Sequence, residues 1–412
     1  MKFRDYQIKI IQKGTYILKK YGFVYLAMEV RTGKTFTSLG ICANTAAKNV
    51  LFITKKKAIS SIQEDYDTLV PDFDITIINY ESLHKLQTTG VGTYDIVIVD
   101  EAHCIGAFPK PSKRAKDVKY HIWNSDAKVI LLSGTPTPES YSQMYHQVYG
   151  IPSNPFRRYK SFYRFCDDHV NVTQRMINGL SIRDYSKGQK SIMDAMQPFF
   201  LSYSQKEAGF KVRTNEKVMH VKMNPFTYNL ANKLKSDLVV QGKDEVILAD
   251  TPVKLMMKLH QIYSGTVKFE SGSSQILDLS KAKFIHKSFK NKKIGIFYKF
   301  KQELLALKKV FQDSITTELD DFVNGNKSIA LQIVSGREGI SLRQADCLVY
   351  YNIDFSATSY WQSRDRMTTK DRINNNVYWI FSKGGIEDQI YKAVIGKKDY
   401  TLNHFKKDLL SL

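Results

Sequence analysis

The tripeptide Gly33-Lys34-Thr35 follows an apolar segment at 23–27 and opens a segment with helical character. A glycine turn between a buried strand and a helix presents backbone N–H groups at the helix N-terminus, where partial positive charge favours a phosphate. Lys34 would then reach the β- and γ-phosphates of a nucleoside triphosphate, and Thr35 would bind Mg²⁺. Met28 replaces the first glycine of the usual phosphate-loop pattern, so an ordinary glycine turn is the alternative for the tripeptide taken alone.

Two carboxylates follow a second apolar segment. Residues 94–99 form a nearly continuous apolar run, typical of a parallel strand covered on both faces, and Asp100 and Glu101 come next. Open α/β sheets bind their ligands at the carboxyl ends of their strands. Asp100 is placed to hold Mg²⁺, directly or through water, and Glu101 to orient and deprotonate an attacking water. An acidic start of a helix is the alternative, but together with Lys34 the pair predicts that the protein binds and hydrolyses ATP.

Strand-like and helical segments alternate along most of the chain, which predicts an α/β fold with parallel sheets. With 412 residues and 43% hydrophobic content, the chain is long enough to bury two cores. The first sheet would add strands at 50–54, 75–79, 96–99 and 129–132, and a second sheet would hold strands at 293–298, 328–334, 347–352 and 377–381, with a helix at 302–311. The predicted domains are a first lobe at 1–150, a helical extension at 151–205, a connector at 206–280 and a second lobe at 281–412.

Several short strings resemble the motifs of one enzyme family. Asp100-Glu101-Ala102-His103 resembles the box that names the DEAH group of superfamily-two helicases and translocases, and Arg4-Asp5-Tyr6-Gln7 resembles the amino-terminal glutamine motif of their Swi/Snf-like branch. The compact size is similar to that of versions carried by phages and mobile elements. The remaining motifs have counterparts in the family's order, at 51–55, 78–83, 132–136, 296–300, 335–342 and 362–366, so the resemblance covers most of the chain.

The resemblance implies two RecA-like lobes, ATP and Mg²⁺ as cofactors, and a role for each motif. Arg366 would neutralise charge on the γ-phosphate, although an ion pair with Asp365 or Asp371 is the alternative for this residue. The residues that would bind ATP are Gln7, Arg31, Thr32, Gly33, Lys34, Thr35 and Gly339, those with a catalytic role are Lys34, Glu101 and Arg366, and those that would hold Mg²⁺ are Thr35 and Asp100. The coupling residues would be His103, Ser133, Thr135 and Gln362, and the nucleic-acid contacts would be Lys55, Lys56, Asn79, Tyr80, Lys299 and Ser335.

Two positions depart from the family pattern. Thr369 stands where the family usually has a second arginine, and Ser341 stands where it usually has an asparagine. Arg364 and Arg372 are alternative sources of the missing guanidinium. The departures leave open which residues of the second lobe close on the γ-phosphate.

The chain is strongly basic, with 61 Lys and Arg against 40 Asp and Glu and a formal charge of +21. A globular enzyme with this charge usually meets a polyanion, although a lysine-rich proteome is the alternative. Segments 155–169 and 281–309 carry basic residues that could contact phosphates. The alternative for 155–169 is a helix packed on the first lobe with a solvated basic side, and the alternative for 281–309 is solubilising charge. Because no apolar run approaches the ~18 residues of a membrane span, and the four cysteines lack paired spacing, we expect a cytoplasmic protein without a disulfide framework or zinc site.

Three functions remain open at this stage. The first is an ATP-dependent DNA translocase or helicase whose ATPase activity is stimulated by DNA. The second keeps the ATPase but takes RNA as its partner. The third is a nucleic-acid clamp that senses ATP without productive turnover, and Thr369 and Ser341 motivate it. The sequence indicates no membrane contact and does not identify replication or recombination partners.

Overall fold

The computed structural model describes residues 3–87, 93–177, 180–209, 213–336, 341–356, 359–360, 363, 367 and 374–396. The chain divides into two compact units, Met1–Phe210 and Lys211–Leu412. Each unit is built around a six-stranded sheet in which all paired strands are parallel, with helices in the connections. The predicted α/β class with two parallel-sheet lobes is therefore confirmed.

The first unit combines a parallel sheet with one antiparallel hairpin. Its strands are β1 (Phe23–Met28), β2 (Asn49–Thr54), β3 (Asp74–Asn79), β4 (Ile96–Val99), β5 (Lys128–Leu132), β6 (Thr173–Ile177), β7 (Leu180–Asp184) and β8 (Phe200–Tyr203). Its helices are α1 (Asp5–Tyr21), α2 (Lys34–Asn44), α3 (Ile59–Leu69), α4 (Lys113–Ser125), α5 (Met144–Val148), α6 (Phe162–His169) and α7 (Ser191–Met196). The sheet has the order β3-β2-β4-β5-β1-β8, and β6 pairs with β7.

Strands of the first sheet are apolar on both faces because each face packs against its own core. In β1, Phe23 and Tyr25 belong to one core, whereas Val24 and Leu26 belong to the other. This double burial explains the nearly continuous apolar segments in the sequence. Since β5 lies between β1 and β4, the carboxyl ends of these three strands meet at one edge, where parallel sheets hold ligands.

The second unit has the same layered arrangement. Its strands are β9 (Arg213–Val221), β10 (Val239–Gln241), β11 (Val246–Leu248), β12 (Thr266–Lys268), β13 (Ser274–Ile276), β14 (Ile294–Tyr298), β15 (Ile315–Thr316), β16 (Ser328–Gln332), β17 (Cys347–Tyr350) and β18 (Asn374–Ser382). Its helices are α8 (Pro225–Asp237), α9 (Pro252–Tyr263), α10 (Ser280–Ser288), α11 (Lys301–Phe311), α12 (Leu319–Asn324), α13 (Ile333–Gly336) and α14 (Glu387–Ile395). The sheet has the order β15-β16-β14-β17-β18-β9, while β10–β11 and β12–β13 are antiparallel hairpins.

The stretch between the predicted lobes contains more strand than the sequence indicated. Segment 151–205 was expected to be helical, yet it includes the β6–β7 hairpin and β8, which completes the first sheet beside β1. Segment 206–280 was expected to be a connector, yet β9 lies within it and pairs along its full length with β18. Strands β8 and β9 lie at the edges of the two sheets, and β9 carries exposed polar side chains at alternate positions. Neither strand therefore shows the continuous apolar run of a central strand.

Neither a membrane span nor a preformed metal cluster is found in the part of the chain that the structure describes. No helix there is both long and apolar enough to cross a bilayer. No group of three or more His, Cys, Asp or Glu side chains there is arranged to hold a metal ion.

Candidate ATP-binding site

The loop between β1 and α2 has the backbone conformation that the Gly-Lys-Thr turn requires. Gly33 caps α2 with φ +79° and ψ +39°, a left-handed conformation that suits glycine. Arg31 also has positive φ, at +65°. The Thr32 hydroxyl donates to the Glu29 carbonyl at 2.7 Å and fixes the loop internally. The first N–H groups of a helix have no intrahelical acceptor, so the start of α2 is suited to a phosphate.

Gln7 lies directly against this loop. Its side chain is buried, and its amide nitrogen is 3.4 Å from both the Gly33 carbonyl and the Thr37 hydroxyl. Its amide oxygen accepts from the Arg4 backbone N–H at 3.0 Å. A Cβ atom added at Gly33 would lie only 2.5 Å from this amide nitrogen, so a side chain there would require the Gln7 amide to move.

Lys34 extends from the start of α2 toward the ends of β5 and β4. A Cβ atom added at Gly134 would lie 3.5 Å from the Lys34 ammonium nitrogen and 3.5 Å from the Met28 carbonyl oxygen. Asp100 lies just beyond β4, where burial raises its pKa and the positive charge of Lys34 opposes that rise. The structure therefore brings the phosphate-loop lysine and the first acid of the Asp-Glu pair to the same edge of the sheet.

Asp100 is a positioned carboxylate in a partly desolvated site. Its two oxygens accept from the Thr54 hydroxyl at 2.8 Å and from the Glu101 backbone N–H at 3.0 Å. Burial, reinforced by the negative charge of Glu101, raises the pKa of Asp100 to about 6, although the hydrogen bond from Thr54 and the charge of Lys34 oppose the rise. A nearby cation would favour the ionised carboxylate.

Three of the residues predicted to act in coupling form one chain of contacts with the second acid. Glu101 lies 3.4 Å from His103 through Oε2 and Nδ1, and the same imidazole nitrogen is 3.0 Å from the Ser133 hydroxyl. The Ser133 hydroxyl in turn accepts from the Thr135 backbone N–H at 3.1 Å. Glu101 has φ +48°, a left-handed conformation that is uncommon for a non-glycine residue and often marks a functional site. The acid that follows β4 is thereby linked to the turn that follows β5.

The donor set suits Mg²⁺ and a triphosphate. Thr35 and Asp100 offer oxygen atoms, which are the ligands that Mg²⁺ prefers, and two protein ligands are typical where phosphates and water complete the shell. Lys34 and the N-terminus of α2 supply positive charge for the phosphates. The predicted residues of the first unit therefore fit the cofactors that the sequence implied.

The nucleic-acid contacts predicted for the first unit differ in exposure. Lys55 and Lys56 follow the carboxyl end of β2, where Lys55 is half-buried and Lys56 is exposed. Asn79 is buried at the end of β3, and its side-chain oxygen accepts from the Ser82 backbone N–H at 2.8 Å. Lys56 therefore has the most open position of the three, whereas Asn79 shapes the turn after β3.

Tyr80 and Lys299 are predicted contacts that the structure places inside their units, which corrects the prediction. Tyr80 is 2% exposed, and its hydroxyl donates to the Asp100 carbonyl, so it supports the acidic turn rather than a nucleic acid. The Lys299 ammonium group pairs with Asp354 at 2.8 Å and lies 3.9 Å from the centre of the Phe355 ring. Its side chain is 12% exposed, so its charge is directed into the unit.

Most of the other site residues predicted for the second unit lie outside the described residues. Ser335 lies in the short helix α13, and its side chain lies outside the described residues, as do Gly339, Gln362 and Arg366. The lysine-rich segment 281–309 was predicted to be a surface, but Lys281 is completely buried and pairs with Glu387 at 2.7 Å. Its partner lies on α14, more than a hundred residues away, so the sequence alone gives no signal for the burial.

Sequence reasoning missed the residues of β8 and the turn after it, which contact the start of the loop between β1 and α2. β8 runs beside β1, and the Glu29 backbone N–H donates to the Tyr203 carbonyl at 2.9 Å. Gln205 donates its backbone N–H to the Glu29 carboxylate at 2.7 Å and its side-chain amide to the Val30 carbonyl at 2.9 Å. The Tyr6 ring stacks on Tyr203 with centroids 4.5 Å apart. Nothing in the local sequence around 203–205 indicated this contact, because it depends on the pairing of β8 with β1.

Two parallel six-stranded sheets, a glycine turn at a helix N-terminus and an Asp-Glu pair at a neighbouring strand end define an α/β protein with a candidate ATP-binding site. The family model for the SNF2-related domain matches residues 35–275, more than half of the chain. The chain belongs to the SNF2-related domain family.

Two vertebrate relatives share the name SWI/SNF-related matrix-associated actin-dependent regulator of chromatin subfamily A-like protein 1. The Xenopus tropicalis protein is 30% identical over 95 residues, which cover 23% of this chain and 10% of that protein. The Xenopus laevis protein is 20% identical over 423 aligned residues, which cover 92% of this chain and 42% of that protein. The chain thus spans less than half the length of these relatives.

Two solved structures are also similar to this chain. The Sulfolobus solfataricus SWI2/SNF2 ATPase core in complex with dsDNA is 16% identical, with a TM-score of 0.44 over 99% of this chain and 92% of that one. The Sulfolobus solfataricus SWI2/SNF2 ATPase core domain is 16% identical, with a TM-score of 0.43 over 96% of this chain and 89% of that one.

Proposed function

We propose that this protein is an ATP-dependent DNA translocase or helicase whose ATPase activity is stimulated by DNA. The observation that carries the proposal is the placement of Lys34 and Asp100 at the same carboxyl edge of the first sheet. A phosphate-binding lysine beside a metal-binding acid is the arrangement that phosphoryl transfer requires. Membership of the SNF2-related family supports the same chemistry.

Each side chain of the site has a proposed role. Gln7 contacts the adenine base, Lys34 binds the β- and γ-phosphates, and Thr35 and Asp100 hold the Mg²⁺ that neutralises phosphate charge. Glu101 orients the attacking water and accepts its proton, which is consistent with its position directly after Asp100. The loop residues Arg31, Thr32 and Gly33 bind phosphate through their backbone. The roles of Arg366 and Gly339 stay predictions from the sequence.

The contacts from Glu101 through His103 to Ser133 support a coupling role. A change in the hydrogen bonds of Glu101 can alter the turn after β5, because His103 and Ser133 connect the two directly. Physical coupling between two sites requires such a connected element with alternative arrangements. We propose that this chain of contacts, with Thr135 at its end, links the state of the nucleotide to the bound nucleic acid, and that Gln362 has the same role in the second unit.

Charge supports a nucleic acid as the partner, and the names of the relatives support DNA over RNA. The formal charge of +21 suits a polyanion, and the exposed Lys56 lies at the carboxyl edge of the first sheet. The Xenopus relatives are named as regulators of chromatin, whose nucleic acid is DNA. Because no base-reading motif is present, we expect contacts to the backbone and little sequence preference. Membership of the DEAH-box group, a compact phage-type origin and a cytoplasmic location stay predictions from the sequence.

ATPase rates measured with duplex DNA, single-stranded DNA and RNA test the proposal. We expect DNA to stimulate turnover, Mg²⁺ chelation to abolish it, and Lys34→Ala to lose nucleotide binding or turnover. Lys48→Ala is the matched control, because it removes an exposed lysine that precedes β2 at the opposite edge of the sheet. Arg366→Ala should bind ATP and DNA yet lose stimulation.

The same measurements distinguish the other two functions. Stimulation by RNA alone would contradict the DNA proposal and favour an RNA helicase. Absence of turnover with any polymer, while ATP still binds, would favour the clamp. The salt dependence of binding is an independent check. For each tenfold increase in salt concentration, log affinity falls by about 0.9 per neutralised phosphate for duplex DNA and by about 0.7 for a single strand.

A further inference from the structure

Helix α4 presents an exposed stripe of basic and aromatic side chains. Lys113, Lys116, Tyr120 and Trp123 are spaced by three or four positions and all are exposed, so they share one face of the helix. Trp123 is 60% exposed and Tyr120 is 39% exposed. A scattered exposed aromatic needs no explanation, but two of them aligned with two lysines form a surface of defined chemistry.

The Trp123 ring is held in a fixed position although it is exposed. Its indole N–H donates to the Gly150 carbonyl at 2.7 Å, and the Lys119 ammonium lies 4.5 Å from its ring centre. The same ammonium is 4.1 Å from the centre of the Tyr149 ring. A Cβ atom added at Gly150 would lie 3.0 Å from the backbone of Lys119, so the helix and this turn approach closely. An exposed ring that is already ordered loses little entropy when it binds a ligand.

The stripe runs from the functional edge of the first sheet to the opposite edge. Near the start of α4, Arg114 pairs with Glu81 at 2.6 Å and lies 5.7 Å from the centre of the Tyr80 ring, just beyond the carboxyl end of β3. After α4 ends at Ser125, the chain enters β5 at Lys128, at the amino edge of the sheet. A helix of this length spans about 20 Å at 1.5 Å per residue, so the stripe connects the two edges.

Charge along the helix is predominantly positive. Lys113, Lys116 and Lys119 carry three positive charges on or beside the stripe, and Arg114 is engaged by Glu81. The acids on and just after the helix are Asp117, which is half-buried, and Asp126, which is exposed at the end of the helix. The balance favours a polyanion with flat apolar groups.

We propose that the α4 stripe binds single-stranded nucleic acid, with a base stacked on Trp123 and phosphates contacted by Lys113 and Lys116. Stacking on aromatic rings combined with a basic groove is the general mode by which proteins bind single strands without sequence preference. A strand that leaves the carboxyl edge of the sheet would follow the helix toward Trp123. This surface is separate from the ATP site and goes beyond the proposed DNA-stimulated ATPase activity. An acidic protein segment is the competing occupant, and the experiment separates the two.

The test measures the affinity of fluorescein-labelled oligo-dT and of a blunt duplex for the whole chain, without nucleotide. Trp123→Ala should weaken oligo-dT binding by about 5- to 150-fold, the loss expected for one stacked base, and should leave duplex affinity unchanged. Trp123→Phe keeps an aromatic ring and should lose much less, so it controls for a folding defect in the alanine variant. Lys116→Ala should reduce the salt slope for oligo-dT by about 0.7, whereas Lys48→Ala should not.

Three results would overturn the proposal. They are unchanged oligo-dT affinity in Trp123→Ala, equal losses for oligo-dT and duplex, and displacement of oligo-dT by poly-glutamate that is as efficient as displacement by unlabelled oligo-dT. The last result would assign the surface to an acidic protein. Because no ATP is present, the outcome is independent of whether the chain proves to be a DNA-stimulated ATPase.

Discussion

Substitution of Gly33 by alanine tests the conformation of the phosphate loop. Gly33 has φ +79°, a region that costs an L-residue about 1–2 kcal/mol. Gly384 has φ +74° and has no atom within 4 Å of an added Cβ, so Gly384→Ala carries the backbone cost alone. The two variants therefore share the backbone cost of positive φ and differ in whether the added Cβ meets a neighbouring side chain.

The neighbouring side chain at Gly33 is that of Gln7. An added Cβ at Gly33 would meet the Gln7 amide nitrogen at 2.5 Å, so the amide must move away from the Gly33 carbonyl and from Thr37. Loss of such contacts costs about 0.5–1.5 kcal/mol each. If the loop relaxes without ligand and must return to this conformation to bind phosphate, the total of about 2–5 kcal/mol appears as a loss of about 30- to 5,000-fold in ATP affinity.

Calorimetric titration with a non-hydrolysable ATP analogue measures the effect. Gly33→Ala should show this loss, and Gly384→Ala should bind as the parent protein does. In a double-mutant cycle with Gln7→Ala, the two substitutions should be less than additive, because removal of the amide removes the clash. Equal affinities for Gly33→Ala and Gly384→Ala would show that this conformation of the loop is not the one that binds phosphate.

Three further predictions concern the catalytic acid, the coupling contacts and pH. Glu101→Gln should bind ATP but hydrolyse it at least about 100-fold more slowly, the lower end of what a general base contributes, and single-turnover rates measure this; an unchanged rate would contradict its role. His103→Ala and Ser133→Ala should each reduce stimulation by DNA more than basal turnover, and a cycle of the two should show a coupling energy of about 0.5–3 kcal/mol, whereas strict additivity would refute the link. Burial lowers the pKa of His146 from 6.5, so its neutral form stabilises the fold above that pH and this contribution is lost as the pH falls below it. Urea unfolding measured above and below pH 6.5 should show that the free energy of unfolding declines less in His146→Gln than in the parent protein as the pH falls. An identical decline in the two proteins would show that His146 is not the cause.

The sequence by itself determined the strands and turns that depend only on neighbouring residues. The apolar run before Asp100 predicted β4 and its carboxyl end, and Gly33 predicted the turn that begins α2. Such signals are strong because a strand covered on both faces must be apolar throughout, and because few residues other than glycine accept a left-handed backbone. The order of the motifs then indicated the family without any knowledge of the fold.

Only the tertiary structure decided which side chains are free to meet a ligand. Tyr80 and Lys299 have the residue types of nucleic-acid contacts, but their burial depends on partners that the fold brings to them, the Asp100 carbonyl and Asp354. β9 and Gln205 were missed for the same reason. The pairing of β9 with β18, and of Gln205 with the phosphate loop, joins segments more than 150 residues apart. Local sequence sets the conformational preference of a segment, whereas burial and pairing depend on distant residues, and in this chain those determine which predicted site residues can act.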